Sequence, residues 1–516
     1  MTSDSSVADC PAAEEFLGHP KGLYVCFFTE MWERFSYYGM KALLFLYITK
    51  YHLFSDDAGY DLLGAYGGLA YAIPVLGGLL ADRYLGMRKS VVFGAVLLVL
   101  GHFGMAYEGV QASRVDGAVV QDTVALQVFY LSLALIVVGV GFLKPNISTI
   151  VGKLYGANDP RRDSGFTLFY AGINLGALFS ALICAWLGET YGWRYGFGSA
   201  GLGMVIGLVV FLRGQKHLHG YAEPHDPTLL EQRKAGLSLE RRIYLGSLLG
   251  VLLIWQLIQR TWTVHGAMHL VFAGFVAWFV WFLVTQCSAR ERGQMLSLIG
   301  LILCCLVFFT MYEQTYGSWV AFSDRLMTHE LLGFQMTAGS LTFLGAFFIV
   351  VLAPIFAWLW PFLERRGLNP SKPIKSAMGL AVGGLAFLPM VAAAQSVGDA
   401  GLASVWWLVL AYLVLEVGEV MLSPIGLSAV TELSVARVVS LMMGAWFLAT
   451  AYSEVLAAGF GKLASIEIPQ DGALDTIGAA AKYAELFQLM AWIGLGFGAL
   501  VLLLSPLMRR GMHGVK

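Results

Sequence analysis

A chain of 516 residues with 58% hydrophobic and 13% charged side chains carries about half the charge of an ordinary soluble protein, which excludes a string of soluble domains. A formal net charge of −1 gives no long-range field toward nucleic acid or an acidic partner. The six cysteines, Cys10, Cys26, Cys184, Cys287, Cys304 and Cys305, form no C-x-x-C pair and suggest neither a zinc site nor a disulfide framework.

Residues 1–21 are polar and lack the basic, apolar, small-residue order of a signal peptide, so they read as a cytoplasmic segment. Apolar runs long enough to cross a bilayer, about 20 residues each, then recur to the end of the chain. They predict helices near 22–49, 60–82, 88–108, 123–153, 164–188, 195–213, 241–260, 266–286, 295–320, 333–363, 374–395, 403–432, 438–465 and 482–508, fourteen in all. Continuous runs of this length exclude a transmembrane barrel, and the expected fold class is an all-α polytopic membrane protein. Gly64, Gly67, Gly68, Gly77 and Gly78 are expected where helices approach closely.

Basic residues in short loops set the orientation. Arg83, Arg88 and Lys89, Arg161 and Arg162, Arg290 and Arg292, Arg365, Arg366, Lys372 and Lys375, and the closing Arg509, Arg510 and Lys516 fall on one side when both termini are cytoplasmic. The opposite loops carry Asp56, Asp57, Glu108, Asp116, Glu189 and Glu330. The longest polar interruption, 214–242, follows six helices, and six more remain if the next two are an insertion. The loop after the second helix, Gly77 to Gly86 with Asp82-Arg83 inside it, is echoed by Leu363-Glu364-Arg365-Arg366-Gly367 in the second half. Paired halves around a midplane site are common among secondary transporters. The expected division is 1–21 as N-terminal segment, 22–213 as first bundle, 214–294 as linker with two inserted helices, 295–508 as second bundle and 509–516 as tail.

Within the first helix, Glu30, Glu33 and Arg34 share a face. An isolated charge at the centre of a membrane helix costs about 2.5–3.5 kcal/mol, so the three must face protein or water and one another. The group is either a static ion cluster or, since a partly buried carboxylate can gain a proton while arginine stays charged, a proton-handling device. Lys41, two turns after Arg34, either anchors at the interface or pairs with Glu313. Lys144 either snorkels to the interface or lines a cavity. Glu313 and Glu419 each brace a helix or balance the cations of the first half. Tyr37, Tyr38, Tyr71 and Trp446 fall within helices, where most aromatics are packing or interface-belt residues, and Asn174 is a polar side chain within a helix, able to bond a neighbouring one.

EMWERFSYYGMKALL, Gly141-Phe142-Leu143-Lys144-Pro145-Asn146, Phe169 to Leu178, Gly418-Glu419-Val420-Met421-Leu422-Ser423-Pro424 and Met443-Gly444-Ala445-Trp446-Phe447 resemble the motifs of the proton-coupled oligopeptide transporter family, a branch of the major facilitator superfamily. The resemblance runs from the first helix to the penultimate one, and the pair at 241–286 resembles the insertion of bacterial members. It implies a major facilitator fold of two six-helix bundles plus two inserted helices. It also implies proton-driven import of di- and tripeptides by alternating access in a bacterial plasma or inner membrane. No cofactor other than the coupling proton, no nucleic-acid partner and a monomer in lipid are expected.

By motif position, Glu30, Glu33, Arg34, Lys144 and Glu313 would couple protons. Arg34, Tyr37, Tyr38, Tyr71, Lys144, Asn174, Glu419 and Trp446 would bind peptide. Lys41 with Glu313 and Lys144 with Glu419 would form gate salt bridges. Two positions depart from the family pattern: Gly345 stands where an asparagine is usual, and Glu454 replaces another. The rival readings are uptake of a different small solute, a non-transporting receptor and a membrane enzyme. The last lacks an H-E-x-x-H pair or a phosphate loop.

Overall fold

The computed structural model describes residues 14–156, 159–224, 226–234, 236–398, 401–467 and 474–514. Cys10, Lys516 and most of the expected N-terminal segment lie outside the described residues. Helix α1, Lys21–Leu46, continues as a π turn to Tyr51. There follow α2 Asp56–Leu85, α3 Met87–Met105, α4 Thr123–Lys153, α5 Arg162–Tyr191, α6 Trp193–Leu218, α7 Leu239–Ile258 and α8 Thr261–Gln286. The second half holds α9 Ala289–Leu326, α10 Ser340–Arg365, α11 Lys372–Gln395, α12 Val405–Leu433, α13 Ala436–Ala464 and α14 Thr476–Gly511. Thirteen of these are long and apolar enough to span a membrane; α1 misses that standard because it carries Glu30, Glu33, Arg34 and Lys41. The protein is an all-α, multi-pass membrane protein.

Local chemistry sets several ends. Ser55 caps α2, Asp122 caps α4, Ser238 caps α7 and Asp475 caps α14, each accepting a bond from a free first-turn amide. Those amides hold the Asp122 carboxyl below the usual carboxylate range. Ser288 and Glu291 form a reciprocal capping box, which starts α9 at Ala289 rather than at the expected 295. The expected helical start at 333 is also corrected. Leu332 and Gly333 both adopt positive φ, 52° and 83°, and turn a two-stranded hairpin, Glu330–Leu331 with Phe334–Gln335, so α10 begins at Ser340.

Helices α1–α6 pack as one lobe and α9–α14 as another. The lobes meet where α2 lies on α13 and α5 on α10. Inserted helices α7 and α8 lie outside; α7 leans on α4, and α8 touches α2 and α13. Close crossings fall at glycines: a Cβ on Gly64 would sit 2.6 Å from that of Ala458, and one on Gly77 would sit 2.1 Å from the Gly141 carbonyl oxygen. Gly86 closes the loop after α2 with φ 73°, leaving no room for a side chain against Pro224. Arg88 N–H donates to the Ala222 carbonyl at 2.9 Å, so this motif loop docks the interlobe linker.

The start of α1 and the close of α14 mark the terminal end of the bundle; the opposite end is distal. Interlobe ties gather distally: Asp56 with Arg325 through two 2.7 Å contacts, Lys50 with Asp324 at 2.7 Å, and Gly339 N–H to Glu189 at 2.8 Å. Toward the terminal end the seam parts. Gly64 and Gly68 of α2 pack on α13, whereas Val75 and Leu79, farther along the same face, are 46% and 59% exposed.

Candidate functional site

Helix α5 seats α1 so closely that a Cβ on Gly176 would lie 2.2 Å from the Met31 carbonyl oxygen. This crossing fixes the charged face of α1. Arg34 Nε lies 3.0 Å from Glu30 Oε1 and also contacts Glu33. Glu30, Glu33 and Arg34 are 3%, 0% and 2% exposed, so the three form one enclosed cluster. The guanidinium sits 5.4 Å from the Tyr37 ring centroid and 5.9 Å from that of Tyr38.

Between the lobes lies a cavity of about 170 Å³ lined by Tyr38, Tyr170, Asn174, Tyr312, Gly345 and Glu419, among others. One wall thus comes from α1 and α5, and the facing wall from α9, α10 and α12. Asn174 Nδ2 donates to the Tyr170 carbonyl at 3.0 Å within its own helix, leaving its amide oxygen for other partners. Among the described residues, Glu419 Oε2 has no hydrogen-bond partner. Lys144 is half-buried, with its Nζ 4.4 Å from the Tyr71 ring centroid.

The expected pair Lys41 and Glu313 is formed at 2.6 Å. The expected pair Lys144 and Glu419 is not formed: these residues stand on α4 and α12, whose lobes separate toward the terminal end. Two expected pocket aromatics are placed elsewhere. Tyr37 is 2% exposed and stacks on Tyr66, with centroids 6.3 Å apart. Trp446, 6% exposed, covers Gly426 of α12, where a Cβ would overlap its ring.

Two buried carboxylates were not assigned from sequence. Glu454 Oε1 lies 2.7 Å from Lys41 Nζ, so one ammonium serves two acids. Glu416 is fully buried, and its Oε1 lies 2.9 Å from where a Gly345 Cβ would be, so the space beside Gly345 borders this acid. A usable signal for Glu416 was its i, i+3 spacing from Glu419. The pairing of Glu454 with α1 depends on tertiary contact.

The POT family pattern matches residues 88–467. The uncharacterized transporter YclF of Bacillus subtilis (strain 168) is 35% identical, covering 97% of this chain and 96% of that protein. The peptide transporter YePEPT of Yersinia enterocolitica is 32% identical, covering 87% and 88%. Among solved structures, that of peptide transporter POT in complex with sulfate superposes with a TM-score of 0.80 at 32% identity, covering 97% of each chain. A variant of peptide transporter POT in complex with alafosfalin gives 0.80 at 31% identity, again covering 97% of each.

Proposed function

The chain belongs to the POT family, and we propose that it imports di- and tripeptides with protons by alternating access, both termini facing the cytoplasm. The observation that carries this reading is a cavity between two lobes with ionic ties closing its distal end and a parted seam at the other. With the basic loops cytoplasmic, the distal end is the outside and this is an inward-facing state.

A peptide is a zwitterion with a variable middle, so a general site grips its two ends. Arg34 and Lys144 face the carboxylate, Glu419 the amine, and the phenols of Tyr38, Tyr170 and Tyr312 border the space between. Asn174 offers an amide to the peptide backbone. Tyr71 holds the Lys144 ammonium over its ring, Tyr37 backs Arg34, and Trp446 forms an inner wall reached as the lobes move. When the terminal end closes, Lys144 and Glu419 come together across the halves. Protonation of Glu313 weakens its pair with Lys41 and favours opening of the outside. Proton loss from Glu30 or Glu33 restores the ion pair with Arg34 and favours peptide release inside.

The names of the relatives YePEPT and peptide transporter POT support peptide as the substrate class. The test is purified protein in proteoliposomes with an imposed inward acid gradient, challenged with a panel of di- and tripeptides. Accumulation of dialanine that collapses with a protonophore is expected. Absence of uptake for the whole panel rejects the reading.

A further inference from the structure

Lys41 stands between two acids, with Nζ 2.6 Å from Glu313 Oε2 on α9 and 2.7 Å from Glu454 Oε1 on α13. All three are enclosed, with side-chain exposures of 2%, 10% and 5%. The arrangement is built rather than incidental. A Cβ on Gly67 would lie 2.4 Å from Glu454 Cδ and Oε2, so the glycine makes room for the carboxylate. One turn away, Gln314 Nε2 donates to the Ala457 carbonyl at 2.8 Å and locks α9 to α13.

Building on the transport reading above, we propose that Glu454 is a second proton-accepting gate residue, sharing Lys41 with Glu313, so that the outer gate holds one proton while shut and opens when the remaining carboxylate is protonated.

The argument is charge balance in an enclosed space. Two carboxylates against one ammonium leave a net negative charge, which is costly without water. The other titratable groups around Glu454 do not remove it. Tyr37 of α1, Tyr66 and Tyr71 of α2 and Tyr316 of α9 are phenols. His265 of α8 faces Gly64 and lies near Asp61. Among the described residues, α12 supplies no hydrogen bond or ion pair to Glu454. A proton held between Glu313 and Glu454 makes the triad neutral. The remaining carboxylate keeps Lys41 and hence ties the lobes. A second proton from the outside converts that carboxylate to a carboxylic acid, breaks only the ion pair, and frees Lys41. Either acid can be the last to let go, so the gate is redundant.

Spin labels on Val119→Cys and Leu332→Cys, one on each lobe at the distal end, report opening without requiring peptide. In the otherwise unmodified protein, acidification is expected to lengthen the distance. Glu313→Gln should still open on acidification, and Glu313→Gln/Glu454→Gln should lose acid-dependent opening. Gly67→Ala in the Glu313→Gln background should also lose it, because it displaces the carboxylate without changing charge; this variant serves if the double exchange does not fold. Loss of opening in Glu313→Gln alone, or its persistence when Glu454 is also exchanged, overturns the proposal. Labels that move as expected in a protein that takes up no peptide would reject the substrate reading and leave the gate assignment standing.

Discussion

Buried charges in this protein differ by their counterions. Asp56 and Arg325 balance one to one through a bidentate contact, and the Ile466 N–H also donates to Asp56 at 3.0 Å. Such a pair suits a fixed clamp. Exchange of Asp56 for Ala leaves a buried guanidinium without its anion, a loss of about 3 kcal/mol or more, and is expected to lower the thermal midpoint in detergent while Lys50→Ala at an exposed pair barely moves it. The Arg34 cluster holds two acids per cation, which suits exchange of a proton. Glu33→Gln is expected to reduce gradient-driven peptide uptake about tenfold while peptide counterflow without a gradient continues. Equal loss of both activities would remove Glu33 from coupling.

Glycines decide how near the helices come. Gly94 of α3 and Gly139 of α4 face each other, each with the other's carbonyl oxygen under 3 Å from its missing Cβ position, at 2.6 and 2.8 Å. Small residues matter here because lipid supplies no hydrophobic drive between helices and close van der Waals contact replaces it. Gly139→Leu is expected to abolish a monodisperse peak in size exclusion, whereas Gly250→Leu on the outlying α7, which meets nothing within 4 Å, should leave the profile unchanged. The fourteen helices were legible because apolar runs are long and their breaks charged. Their ends were less legible. Leu331-Leu332-Gly333-Phe334 reads as apolar helix, yet backbone geometry at Leu332 and Gly333 makes it a turn.

Across the whole molecule, the distal end is tied and the terminal end is open. A cleavable bis-thiol crosslinker joining Lys50→Cys to Asp324→Cys, in place of the native Nζ–Oδ1 pair at 2.7 Å, should hold the lobes shut outside. Uptake is expected to fall about tenfold or more on crosslinking and to recover when the linker is cleaved. The inserted helices α7 and α8 pack on the periphery, so replacing them by a flexible linker between α6 and α9 should preserve most uptake if the two six-helix lobes form the carrier.

The sequence alone determined membrane residence, an all-α architecture and the placement of charge on α1, because each follows from local hydropathy and spacing. The family resemblance added the expectation that Lys144, Asn174 and Glu419 serve the site. Tertiary structure decided which charges meet. Lys41 and Glu454 are 413 residues apart along the chain, and their contact depends on Gly67 of a third helix. Burial of Tyr37 and separation of Lys144 from Glu419 likewise depend on how two lobes lean on each other, a relation that residue spacing within one helix does not encode.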